Sequence, residues 1–160
     1  MNKLSIQDRV QILKCLAEGV GVNAAARMTG KSKNTVLKLL ADVGEACALY
    51  QDRAMNNLPC KRVQVDEIWS FIGAKQKNVR RNDEAHAEYG DAYTFTAIDP
   101  DTKLMPCWFL GQRDNKSTEA FMDDLAPRFA GRIQLTSDGL HSYPHAVDRS
   151  FVGIPEQRDR

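Results

Sequence analysis

The sequence predicts a mixed α+β or α/β chain in two modules, a three-helix front and a strand-rich back. Three observations predict it. Apolar residues recur at helical spacing between Ile6 and Leu40. From Lys61 onward β-branched and aromatic residues alternate instead, as in strands. A single helical stripe, Phe121, Leu125 and Phe129, then stands between the third strand and a fourth. Pro59 disfavours helix at the residue before it and marks the junction, giving residues 1–58 and 59–160 as the two domains.

In the front module, Ser5 and Asp8 form a capping-box pattern ahead of a stripe of Ile6, Val10, Leu13 and Leu16. Gly19-Val20-Gly21 ends this helix, because glycine is disfavoured in a helix interior. A second short helix runs from Asn23 to Met28, with Thr29-Gly30 as the turn. Ser32 caps a third, whose buried side is Val36, Leu37, Leu39 and Leu40. Residues 41–59 begin as helix, with Ala46, Leu49 and Tyr50 on one side, and loosen through Asn56-Asn57-Leu58-Pro59.

The spacing Ala25-Ala26-x-x-x-Gly30-x-Ser32-x-x-Thr35-Val36-x-x-x-Leu40 resembles a helix-turn-helix. Small alanines allow close crossing, and Gly30 permits the left-handed turn. Lys31, Ser32, Lys33 and Asn34, with Lys38 a turn later, then face a DNA major groove. Lysine suits phosphate or guanine, and asparagine suits adenine. The plainer alternative is a three-helix bundle for protein contacts, its lysines a solvated face.

In the back module, Val63 to Ile72 reads as a strand with Val63, Val65, Trp69 and Phe71 on one face and Gln64, Asp66, Ile68 and Ser70 on the other. Asp66 and Glu67 point oppositely, so they are not expected to serve one site. Trp69 and Trp108 are expected in the core. Residues 74–91 form a charged loop whose Lys75, Lys77, Arg80 and Arg81 either touch phosphates or are simply solvated. A second strand, Tyr93–Ile98, ends in the turn Asp99-Pro100-Asp101-Thr102, and a third runs through Leu104 to Leu110. Asn115 or Ser117 caps the helix that follows, which Pro127 and Gly131 close. The strand from Ile133 delivers Asp138 at its end. A helical crossover makes it parallel to the first strand, so Asp66 and Asp138 lie side by side. Three antiparallel strands, a helix and a parallel strand, with acids on the first and last, is the RNase H-like order. Its chemistry is two-metal phosphoryl transfer, in which carboxylates on neighbouring rigid elements hold the ions.

Val65-Asp66-Glu67-Ile68-Trp69-Ser70-Phe71-Ile72-Gly73 and Thr136-Ser137-Asp138-Gly139, downstream of the helix-turn-helix, resemble transposases of the IS1 family of insertion sequences, in the DDE superfamily. The similarity covers about residues 4 to 152. It implies a DDE transposase that binds the terminal repeats of its element, cuts DNA and joins it to target DNA as a homo-oligomer. It implies Asp66 and Asp138 as the first two catalytic and metal-holding acids, with two Mg²⁺ (or Mn²⁺) ions. The family carries a third acid, a glutamate, on a later helix after a further strand. This chain ends 22 residues after Asp138. Glu156 only superficially matches the third acid, so the expected form is C-terminally truncated, catalytically incomplete, with an incomplete RNase H-like domain prone to aggregate. The family's zinc-binding segment, present in some relatives, is missing from the front.

Composition is compatible with these expectations without selecting them. Hydrophobic residues make up 42% and charged residues 27% of the 160, which suits a globular chain. No apolar run approaches the ~20 residues of a membrane span, and charges follow the N-terminus too closely for a signal peptide. The expected location is the cytoplasm, where Cys15, Cys47, Cys60 and Cys107, lacking C-x-x-C spacing, are free thiols, Cys15 on the buried side of a helix. His86, His141 and His145 are expected to face solvent. Residues 1–60 carry eight Lys or Arg against five Asp or Glu, and residues 61–160 carry fourteen against sixteen. A basic front and acidic back fit a DNA-binding head on a metal-using body. Three functions follow: a transposase, a DNA-binding regulator that inhibits transposition through the helix-turn-helix, and a transcriptional regulator with a ligand-binding back domain.

Overall fold

The strands of this chain form one four-stranded mixed sheet, and among the described residues five α-helices accompany it, an α+β architecture. The structure, a computed structural model, describes residues 4–79 and 87–152. It divides into two units, Met1–Asp52 and Arg53–Arg160. No described helix is long and apolar enough to cross a membrane.

The first unit is helical: α1 (Ile6–Ala17), α2 (Val22–Thr29) and α3 (Lys33–Ala54). Ser5 Oγ accepts from the Asp8 N–H at 3.1 Å and starts α1. Gly30 ends α2 at φ 65°, a left-handed conformation that glycine adopts without a Cβ penalty. Ile12, Ala25, Val36 and Leu39 are buried together, with Leu13, Leu16, Val20, Val22 and Val43 packed around them. The expected α1 stripe is thus corrected. Ile6 is 77% exposed, Val10 is exposed too, and Ile12 is the centre. An eight-residue α2 is only about 12 Å long, and the core takes in the C-terminal half of α1 alone. On α3, Leu37 and Leu40 are exposed, because Val36, Leu39 and Val43 form a narrow stripe at i, i+3 and i+7. Cys15 is only partly buried.

The second unit contains β1 (Arg62–Ile72), β2 (Gly90–Ile98), β3 (Trp108–Gly111), α4 (Asn115–Leu125), β4 (Gln134–Ser137) and α5 (Tyr143–Ser150). The strand order is β3-β2-β1-β4. β1 pairs antiparallel with β2, and β2 with β3. β4 pairs parallel with β1, from Arg62 opposite Gln134 to Val65 opposite Ser137. Val63, Val65, Phe95 and Ala97 on one sheet face are buried in a single cluster with Phe121, Met122 and Leu125 of α4 and Tyr143 and Ala146 of α5. Leu58 also belongs here: its N–H donates to the Arg128 carbonyl and its carbonyl accepts from Ala130, both at 2.9 Å.

Several details differ from the sequence reading. The third strand begins only at Trp108, where its pairing with Thr96 of β2 starts. Asp99 is 3% exposed and accepts from the Asp101 N–H and the Thr102 hydroxyl. The N-cap of α4 is Asp114, which accepts from the Ser117 N–H at 2.8 Å, rather than Asn115 or Ser117. Trp69 and Trp108 are 43% and 46% exposed, not core. Phe71 on the same strand is also exposed. β1 has eleven residues against four in β4, so its far end runs beyond the shortest partner. There Trp69 lies against Phe71, the two rings tilted with centroids 5.9 Å apart, and Lys75 Nζ sits 5.0 Å from the Trp69 ring centre. Helix α5 was not expected. Pro144 sits in its first turn, where the missing N–H costs nothing.

Candidate functional site

The parallel pairing of β1 with β4 brings the two aspartates to adjoining strand positions. Val65 lies opposite Ser137, and the next residue on each side is Asp66 and Asp138. Asp66 is exposed on the face away from α4 and α5, and its Oδ1 accepts from the Glu67 N–H at 2.8 Å. Asp138 stands just past β4, before Gly139 at φ 91°, with its Oδ1 accepting from the Leu140 N–H at 3.3 Å. Its side chain is 42% exposed. Each carboxylate is therefore oriented through one oxygen by a local backbone donor.

Sequence reasoning missed the other half of this cluster. Glu67, on the helix-covered face, has a side chain only 2% exposed. One of its oxygens accepts from the Tyr143 hydroxyl and the other from Arg113 Nε at 3.2 Å. Arg113 lies between β3 and the cap of α4, and its Nη2 is 3.5 Å from Asp138 Oδ2. Asp66 and Glu67 do point to opposite faces. Glu67 is also linked to Asp138 through the one guanidinium of Arg113. Burial pushes the Tyr143 hydroxyl far above its ordinary range, and the charges of Glu67, Asp138 and Asp66 push it further. Arg113 is held in its charged form by Glu67. A buried carboxylate needs such partners, because unpaired burial of its charge is costly.

The oxygen-only chemistry of Asp66 and Asp138 suits a hard cation such as Mg²⁺, which also keeps several waters. Two exposed carboxylates at neighbouring positions fit it as partial ligands. Among the described residues, no group of three or more His, Cys, Asp or Glu is arranged to hold a metal. Glu156, Arg80, Arg81 and His86 lie outside the described residues. His141 and His145 are exposed, the latter 3.6 Å from Glu119. An open groove of about 600 Å³ lies beside β4, lined by Ile133, Leu135, Val147 and Phe151 among others.

In the first unit, the five residues expected to meet DNA sit before or within the first turns of α3, and they are not equivalent. Ser32 caps the helix: its Oγ accepts from the Thr35 N–H at 3.1 Å. Lys31 pairs with Asp8 of α1 at 2.9 Å, and Lys38 pairs with Asp42 one turn along at 3.2 Å. Lys33 and Asn34 are exposed at the helix start. The two freest side chains are thus the ones nearest the N-terminus of α3, where a helix presents its backbone N–H groups.

Comparison with protein-family models and with curated proteins finds no match for this chain.

Proposed function

We propose that this chain is a DNA-binding protein of the DDE transposase type, with a helix-turn-helix head and an RNase H-like body whose Asp66 and Asp138 hold divalent metal for cutting DNA. The observation that carries the reading is the parallel register of β1 and β4, which puts Asp66 and Asp138 next to each other at the ends of a paired segment. The antiparallel order of β1, β2 and β3, followed by α4 and then β4, supports the same reading. So does the left-handed Gly30 between α2 and α3, with Lys33 and Asn34 exposed just beyond it.

In this reading Lys33 and Asn34 seat the protein on duplex DNA, Lys33 by charge and Asn34 by paired hydrogen bonds to a base edge. Asp66 and Asp138 would hold Mg²⁺, which when bound would supply the chemistry of activating an oxygen nucleophile and stabilising a leaving oxygen. The chain's own part is to orient the two carboxylates. Glu67 N–H and Leu140 N–H each donate to one carboxylate oxygen, and the second oxygen of Asp138 is faced by Arg113. The expected DNA partners are the repeats at the ends of an insertion element and its target DNA, met as a homo-oligomer.

A second reading is a DNA-binding regulator of transposition that acts through the head alone. It is favoured by one observation: Arg113 already offers a positive charge to Asp138. Binding to a fluorescent duplex, measured by anisotropy, tests what both readings share. Affinity that falls steeply with salt and is lost in a Lys33→Ala/Asn34→Ala variant supports them. Binding that is unchanged in that variant removes α3 as the reader. Metal-dependent cleavage separates the first reading from the second.

A further inference from the structure

We propose that Arg113 is a built-in counter-cation of the acidic site, occupying by charge the place at Asp138 that a divalent cation takes, so that metal binding works against it. The inference rests on the reading of Asp66 and Asp138 as metal-holding acids. Arg113 is fixed at one end by Glu67, whose enclosed carboxylate is held on its other side by the Tyr143 hydroxyl. Its free end then reaches Asp138 Oδ2 at 3.5 Å. That separation is long for an N–H···O hydrogen bond, so the contact supplies charge more than geometry. The orientation of Asp138 comes instead from the Leu140 N–H on Oδ1. A guanidinium beside a carboxylate stabilises the metal-free state and repels a dication brought to the same oxygen. Glu67 is buried, whereas Arg113 is about half exposed.

The test is Mn²⁺ binding to the full chain, followed by the electron-paramagnetic-resonance signal of free Mn²⁺, with thermal melting to check folding. Arg113→Gln keeps an amide donor for Glu67 and removes the charge, and it is expected to tighten Mn²⁺ binding by about three- to tenfold. Arg113→Lys keeps the charge and is expected to stay within about twofold of the parent. Where Arg113→Gln fails to fold, Glu67→Gln/Arg113→Gln removes both partners without stranding a buried charge, and the same tightening is expected. Unchanged or weaker Mn²⁺ binding in the folded charge-removed variants overturns the proposal: Arg113 then positions Asp138 or is irrelevant to it. Asp138→Asn reports on the underlying reading separately. If Mn²⁺ binds that variant as it binds the parent, the acids do not hold metal, and the proposal falls with them.

Discussion

The Tyr143 hydroxyl donates to the carboxylate of Glu67, joining the first turn of α5 to the middle of β1 across 76 positions of sequence. This bond accounts for a carboxylate buried beneath the helices, and it makes α5 part of the site's support. Tyr143→Phe removes the donor and leaves Arg113 as the partner of Glu67. The expected cost is about 1.5–3 kcal/mol, the range for a hydrogen bond to a charged group. Urea unfolding followed by tryptophan fluorescence measures it, and a cost near zero would show that Glu67 does not depend on Tyr143.

A second buried pair allows a sharper test of direction. Thr118 Oγ1 donates to the Asp114 carbonyl at 2.8 Å and also lies 2.8 Å from Ser142 Oγ. A hydroxyl has one proton, so Ser142 is the donor between the two. Thr118→Val therefore strands a buried donor and is expected to cost about 1–3 kcal/mol, whereas Ser142→Ala costs less. In the Thr118→Val background, Ser142→Ala is expected to cost nothing further. Equal and additive losses in a double-mutant cycle contradict this assignment.

Cys60 predicts a pH dependence. Burial pushes its thiol up to about 11, and the neighbouring Asp99 carboxylate adds to the shift. A raised folded pKa means the folded state keeps its proton longer than the unfolded chain. Stability from this group is then fully present below about 9 and is lost as pH rises through about 11. Cys60→Ala is expected to flatten the fall in melting temperature over that window. Parent and variant curves that stay parallel from neutral pH through the window would count against it.

In the first unit, Asp8 holds Lys31 by an ion pair. Asp8→Asn leaves the backbone donor to Ser5 in place and frees the lysine. DNA affinity is expected to rise about two- to fivefold at low salt, with a steeper salt dependence. Lys33→Ala/Asn34→Ala is expected to weaken binding by about tenfold or more. Anisotropy titrations at two salt concentrations check both, and binding that is unchanged in the second variant would exclude this surface.

Much of this architecture was legible in the sequence, for identifiable reasons. Periodicity and turn residues marked α1 to α3, the meander of β1 to β3, and the parallel return of β4, which depends only on a helical crossover. Alternation along β1 also gave the opposite facing of Asp66 and Glu67. What alternation does not contain is Arg113, which reaches Glu67 on one face and Asp138 beyond a strand end. Glu67 was missed for that reason, and the signal available was a basic residue just ahead of a helix cap. The exposure of Trp69 and Trp108 was hidden because residue type reports a preference for burial, while strand length relative to the neighbouring elements decides it. Tyr143, Ala146, Val147 and Phe151 do form an i, i+3, i+4, i+8 stripe, but Pro144 obscured the helix that carries it.

Asp66 and Asp138 are proposed together to support metal-dependent cutting of DNA. The most direct measurement incubates the full chain with supercoiled plasmid in Mg²⁺, in Mn²⁺ and in chelator, beside Asp66→Asn and Asp138→Asn variants of equal melting temperature. Although the sequence led to an expected catalytically incomplete form, a metal site at Asp66 and Asp138 predicts nicking that requires metal and disappears in both variants while DNA binding persists. Nicking that survives either substitution, or no nicking by a parent chain that binds DNA tightly, would contradict it and leave the regulator reading in its place.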